Sequence, residues 1–211
     1  VKPAGRNRAA ALVLGACVVA SGCGGAAVAP VAQAAAGPQL CVVRHAQAFR
    51  NLNPPPAGLT PDQLDALTPN GEGQAGRAGE RLPPGAAAVY SSPARRTRQT
   101  ATRLGRGEPF VAAELRPLEG SLSYSDRLVA WQRGDDPRPA DGESLDDGLT
   151  RIRGLLARLR TEVPADAHVV LVSHGDIAPL VVGELRGTPP LARPEQEAFE
   201  TAQVVCLPRP R

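Results

Sequence analysis

The chain has 211 residues, 42% of them hydrophobic, enough for one well-buried domain and short for two. Aromatic residues make up only 3%, so the core must be built from Val, Leu and Ala. The formal net charge is +3, and no basic run carries interleaved aromatics, which argues against a nucleic-acid partner.

Lys2, Arg6 and Arg8 precede an apolar run, Ala9 to Ala20, in the order of an export signal. The run is shorter than the ~20 residues a membrane-spanning helix needs. Ala20-Ser21-Gly22-Cys23 resembles a bacterial lipobox, in which the peptide is cut before the cysteine and the cysteine is acylated. Residues 1–22 are therefore expected to be a lipoprotein signal peptide, with Cys23 as the lipid attachment site. An ordinary secretory signal with an incidental cysteine is the alternative. Residues 23–38 are Ala, Gly, Val and Pro without charge or period and read as a flexible tether. The expected location is extracytoplasmic, in the cell envelope, with the membrane as a partner through the lipid. Buried acyl chains contribute ~0.8 kcal/mol per CH₂, so more than one chain would anchor the protein stably.

Residues 39–211 form the folded part. Gln39 to Val43 reads as a buried strand that delivers Arg44-His45 to a sheet edge. A long loop with Pro54-Pro55-Pro56 and Gly58 follows. Thr60-Pro61 starts a short helix through Leu67. Thr68-Pro69 starts another, with threonine as N-cap and proline at the first helical position, carrying Gln74, Ala75, Ala78 and Leu82. A second strand ends at Val89-Tyr90-Ser91, and Ser92-Pro93 opens a helix to about Leu104. Pro109 to Leu115 is predicted as a third strand. Residues 116–143 read as a lid over the sheet edge, with a helical piece at Leu128 to Trp131. Ser144 caps a helix whose Leu145, Leu149, Ile152, Leu156 and Leu159 form an apolar stripe. Val169 to Val172 is a core strand ending in Ser173-His174-Gly175, Ile177 to Leu185 a helix, and Ala202 to Leu207 the last strand. This alternation predicts a three-layer α/β/α sandwich with a mostly parallel central sheet. Two parallel strands that each end in a histidine, with an arginine-rich turn between them in sequence, would gather a phosphoryl site at one sheet edge. Cys41 and Cys206 could form a disulfide only if their strands are neighbours, and two separate core cysteines are the equal alternative. No cysteine spacing suits a structural zinc.

Five segments carry a resemblance to the histidine phosphatase (phosphoglycerate mutase-like) superfamily. Arg44-His45-Ala46-Gln47-Ala48-Phe49-Arg50-Asn51 is similar to its R-H-G/A-x-x-x-x-N signature. Leu67-Thr68 through Gln74-Ala75, Ser91-Ser92 through Arg96 to Thr100-Ala101, Gly142-Glu143-Ser144 and Ser173-His174-Gly175 match its later segments in order. The resemblance implies a nucleophilic His45, Arg44 and Arg96 gripping the phosphoryl oxygens, and His174 donating to the same group. A nucleophilic imidazole must be neutral, and neighbouring cations lower its pKa. Guanidinium forks fit phosphate and stay charged. Asn51, Ser92, Arg95 and Gly175 are the expected substrate-binding residues, Arg95 only as a flank. The proton donor is where the match breaks. Pro117 stands where the family has glutamate, so Glu119 is the first candidate and Glu114 and Asp176 follow.

The resemblance therefore implies a phosphomonoester hydrolase acting through phosphohistidine on a small phosphorylated substrate. No cofactor, no metal and no obligate protein partner is expected. A mutase is disfavoured, because its phosphorylated cofactor belongs to the cytoplasm. The alternatives are a non-catalytic phosphate-binding lipoprotein and a phosphohistidine protein phosphatase.

Overall fold

The computed structural model describes residues 37–85, 87–188 and 199–210; the signal segment, Cys23 and the tether up to residue 36 lie outside them. The elements in chain order are β1 (Gln39–Arg44), α1 (Pro61–Leu64), α2 (Pro69–Glu80), β2 (Ala87–Ser91), α3 (Arg95–Arg103), β3 (Phe110–Val111), α4 (Tyr124–Gln132), α5 (Leu145–Glu162), β4 (His168–Ser173), α6 (Ile177–Arg186) and β5 (Val204–Pro208). The sheet order is β3-β2-β4-β1-β5. β1 to β4 run parallel, and β5 pairs antiparallel with β1 at one edge.

β1 and β4 are buried on both faces, which is why both read as unbroken apolar runs. Leu40 and Val42 point into one cluster with α5 and α6, while Cys41 and Val43 point into another with α2 and α3. That is the expected three-layer sandwich. Because β1 and β4 are parallel neighbours with Arg44 opposite Ser173, their C-terminal ends coincide, and the two histidines that follow lie together. The His45 amide donates to Ser173 O at 2.8 Å, and Ser92 N donates to Val172 O at 3.1 Å. Three strand ends are thus stitched side by side.

Several expected boundaries move. α1 is only four residues long, because Leu67 turns away to bridge Ala48 and to donate its amide to Gln99 Oε1 at 2.8 Å. α3 begins at Arg95, without a side-chain cap, rather than at Ser92-Pro93. The Ser92 hydroxyl is instead drawn toward His174. β3 keeps two residues, and Ala113–Leu115 form a 3-10 turn. α4 is longer than the expected piece and is capped by Ser123. On α5 the fully buried position is Leu155; Leu156 is partly buried. β5 starts two residues late, because Ala202 adopts a left-handed turn with φ of 60°. Cys41 and Cys206 face each other across the β1–β5 pair and are joined in a disulfide.

Candidate active site

The loop leaving β1 is held from three sides. Ala46 N donates to Thr100 Oγ1 on α3 at 3.0 Å, and Gln47 N donates to Gln74 Oε1 on α2 at 2.9 Å. Thr68, the N-cap of α2, donates its amide to Gln47 O at 3.0 Å. At Gly71 a Cβ would come within 2.0 Å of Gln47 O, so only glycine lets the helix approach this closely. The threonines and glutamines of the sequence segments are therefore the frame of the loop that carries His45.

His45 is buried, and its Nδ1 lies 2.9 Å from Ala46 O. A carbonyl only accepts, so Nδ1 carries the proton and Nε2 keeps a free lone pair. Burial first, and then the Arg96 and Arg44 charges, hold its pKa down at about 3. Burial, which the sequence reasoning left out, outweighs the cations it invoked.

The His174 ring stands 5.4 Å from the His45 ring, centroid to centroid. Arg96 Nη2 donates to His174 Nδ1 at 2.9 Å, and His174 Nε2 donates to Ser92 Oγ at 2.8 Å. Burial, with Arg96 and His45 beside it, lowers the His174 pKa to about 2. Both imidazoles are neutral.

Arg44 and Arg96 complete the cluster. The Arg44 guanidinium lies against Gly175, where a Cβ would stand 3.2 Å from Cζ. Its Nη1 donates to Phe199 O. Arg96, on the first turn of α3, is buried and pairs through Nη1 with Asp65. Arg44 Nε and Arg96 Nε are buried and have no hydrogen-bond partner among the described residues. A buried N–H without an acceptor costs free energy, so two of them beside neutral imidazoles mark a place for an oxyanion.

The structure therefore brings together Arg44, His45, Ser92, Arg96, His174 and Gly175. It does not bring the other candidates to the histidines. Arg95 extends to Asp62 at the surface. Asn51 Oδ1 accepts from Ala48 N at 2.9 Å and closes the turn at Phe49–Asn51. Glu119 is exposed and pairs with Arg116 Nε at 2.9 Å. Glu114 pairs with Arg158 at 2.8 Å. Asp176 caps α6 and accepts from Leu118 N at 2.7 Å, and burial pushes its pKa up. Asp65, which sequence reasoning passed over, is the carboxylate that touches Arg96. Its position after a four-residue helix in a Pro-rich loop gives no motif to find it by.

Residues 40–209 match the model of the histidine phosphatase superfamily, branch 1. The probable phosphoglycerate mutase GpmB of Klebsiella pneumoniae is 32% identical over 171 residues, covering 73% of this chain and 77% of that protein. Among solved structures, mycobacterial hydrolase 1 superposes with a TM-score of 0.61 at 27% identity, covering 81% of this chain and 91% of the other. A mycobacterial glucosyl-3-phosphoglycerate phosphatase, solved in complex with VO3, gives a TM-score of 0.61 at 27% identity, covering 80% and 92%.

Proposed function

The chain belongs to branch 1 of the histidine phosphatase superfamily and is an enzyme of the phosphatase type; from that premise we propose that it is a phosphomonoester hydrolase working through a phosphohistidine on His45. The observation that carries this reading is the pairing of a lone-pair nitrogen, His45 Nε2, with two buried, unpartnered guanidinium N–H groups. The phosphoryl group enters among Arg44, Arg96 and His174. His45 Nε2 attacks phosphorus in line, and the bond to the leaving oxygen breaks. Water then attacks phosphorus, the N–P bond breaks, and phosphate departs. The guanidinium groups stabilise charge on the equatorial oxygens throughout. A relative solved in complex with VO3, an anion of similar shape to the transferred PO₃ unit, supports an oxyanion ligand for this fold. The substrate class is a small phosphomonoester, and no metal is required.

Hydrolysis of para-nitrophenyl phosphate by the wild type and by His45→Ala tests this. The variant should fold, lose turnover and lose acid-labile phosphoryl labelling. Phosphate binding by a wild type that turns over no phosphomonoester at any pH would favour a non-catalytic anion binder instead.

The protein is further proposed to act outside the cytoplasm, anchored through lipid on Cys23. The Ala20-Ser21-Gly22-Cys23 segment supports this. So does the Cys41–Cys206 disulfide, a bond that persists in oxidising compartments. Cys23→Ser should move the protein from the membrane to the soluble fraction; unchanged fractionation would remove the anchor.

A further inference from the structure

The reaction proposed above leaves one role open. An alkoxide leaving group needs a proton in the first step, and the attacking water must lose one in the second. Glu119 and Glu114 are taken up by Arg116 and Arg158, and Asp176, whose charge is felt at Arg44 and Arg96, accepts with its two oxygens from the backbone of Leu118 and Ile177. Asp65 is paired with Arg96 itself. It follows α1, its side chain is only 16% exposed, and its Oδ1 sits on Nη1 of Arg96. The same guanidinium reaches His174 Nδ1 through Nη2. One further cation, Arg50, stands 3.4 Å from Asp65 Oδ1 at the surface side. The negative charge of Asp65 is also felt at His45, where it favours the protonated form. Asp65 is therefore a carboxylate joined to His174 through one guanidinium, that of Arg96.

We propose that Asp65 is the proton donor and acceptor of the hydrolysis, exchanged from Arg96 by the incoming phosphoryl group. This deepens the phosphohistidine reading and rests on it. Without substrate, Asp65 is paired with Arg96. A phosphate dianion competes for the same guanidinium. Once displaced, the Asp65 carboxyl group faces the phosphoryl group and carries a proton taken from solvent. It then gives that proton to the leaving oxygen as the P–O bond breaks, and it leaves this step ionised. In the second step the carboxylate takes a proton from the attacking water as the O–P bond forms and the N–P electron pair returns to His45. The net change is ester and water in, alcohol and phosphate out.

The role predicts a dependence on the leaving group that packing alone does not produce. Asp65→Asn keeps the shape of the side chain and removes its acidity. Single-turnover formation of phosphohistidine would be followed with para-nitrophenyl phosphate, whose leaving group needs no proton, and with glycerol phosphate, whose leaving group does. Wild type should use both. In the variant the step should fall about a hundredfold or more further for glycerol phosphate than for the nitrophenyl ester, the usual worth of general acid catalysis. With the nitrophenyl ester the variant should also release about one equivalent of nitrophenol in a burst and accumulate phosphoenzyme. Equal loss on both esters, equal gain on both, or no change would each overturn Asp65 as the proton carrier. Asp65→Glu should regain part of the glycerol phosphate rate; if it behaves as the asparagine variant with a normal melting curve, the proposal also fails. A wild type that forms no phosphohistidine would instead bring down the hydrolase reading itself.

Discussion

Arg95 and Arg96 are adjacent in sequence and opposite in consequence. Arg96 is buried between Asp65 and His174, whereas Arg95 reaches outward to Asp62. An exposed ion pair is worth under about 1 kcal/mol. Arg95→Ala should therefore change kcat/KM by only a few-fold. Arg96→Ala removes a preorganised donor to the transferring group, and kcat/KM should fall by about 3 kcal/mol, or more than a hundredfold. Steady-state kinetics on the pair checks the register. The histidines make a second prediction. An unfolded imidazole binds a proton below about 6.5, whereas folded His45 does so only near 3 and His174 near 2. Between those values the unfolded chain holds more protons, so stability falls as pH drops, by about 1.4 kcal/mol per pH unit for each histidine. Above about 6.5 neither contributes. Urea unfolding between pH 7 and 4 should show this slope, and His45→Asn should make it shallower by one proton.

The excursion from Arg116 to Gly142 has a composition that reads as loop, yet it is built around one side chain. Arg127 on α4 is fully buried. Its guanidinium donates to Leu122 O at 3.2 Å, to Glu119 O at 2.7 Å and to Glu143 O. Glu143 in turn pairs with Arg151 of α5 at 3.1 Å and with Arg116 at 2.5 Å. The segment is thus riveted to α5 by arginines, beside the apolar residues Leu118, Tyr124, Leu128 and Trp131 that pack on the core cluster. Replacing Arg127 by Met should cost about 3 kcal/mol, because three hydrogen bonds to partly buried carbonyls are lost together. Denaturant unfolding would measure the loss, and limited proteolysis should cut first within residues 116–143. A buried arginine among carbonyls has no sequence period, so nothing in the order of residues pointed to it.

For the whole domain, the disulfide closes the largest loop. Cys41 and Cys206 are 165 residues apart and tie the edge strand β5 to its neighbour β1, which carries Arg44. The turn before β5 also touches the site, since Ala202 N donates to Arg44 O at 3.2 Å. On the chain-entropy account a loop of this length contributes up to about 5 kcal/mol. Cys206→Ser with Cys41→Ala should lower the urea midpoint accordingly, and reductant should have the same effect on the wild type and none on the double variant.

The order of residues was enough for the layer architecture and the two histidine-tipped strands, and the resemblance to the family singled out Arg44 and Arg96. The first two rest on local signals, apolar runs and capping residues, each readable within a dozen positions. Three things needed the folded chain. The pairing of Cys41 with Cys206 depended on β5 lying beside β1, a choice of neighbour that spans nearly the whole domain. The Ser92 hydroxyl, expected to open a helix, instead meets His174, an interaction across 82 positions. Asp65 came to rest on Arg96 because the C-terminal end of α1 meets the first turn of α3. Spacing along a chain carries no information about which distant carboxylate a guanidinium will meet, and that meeting is set by packing.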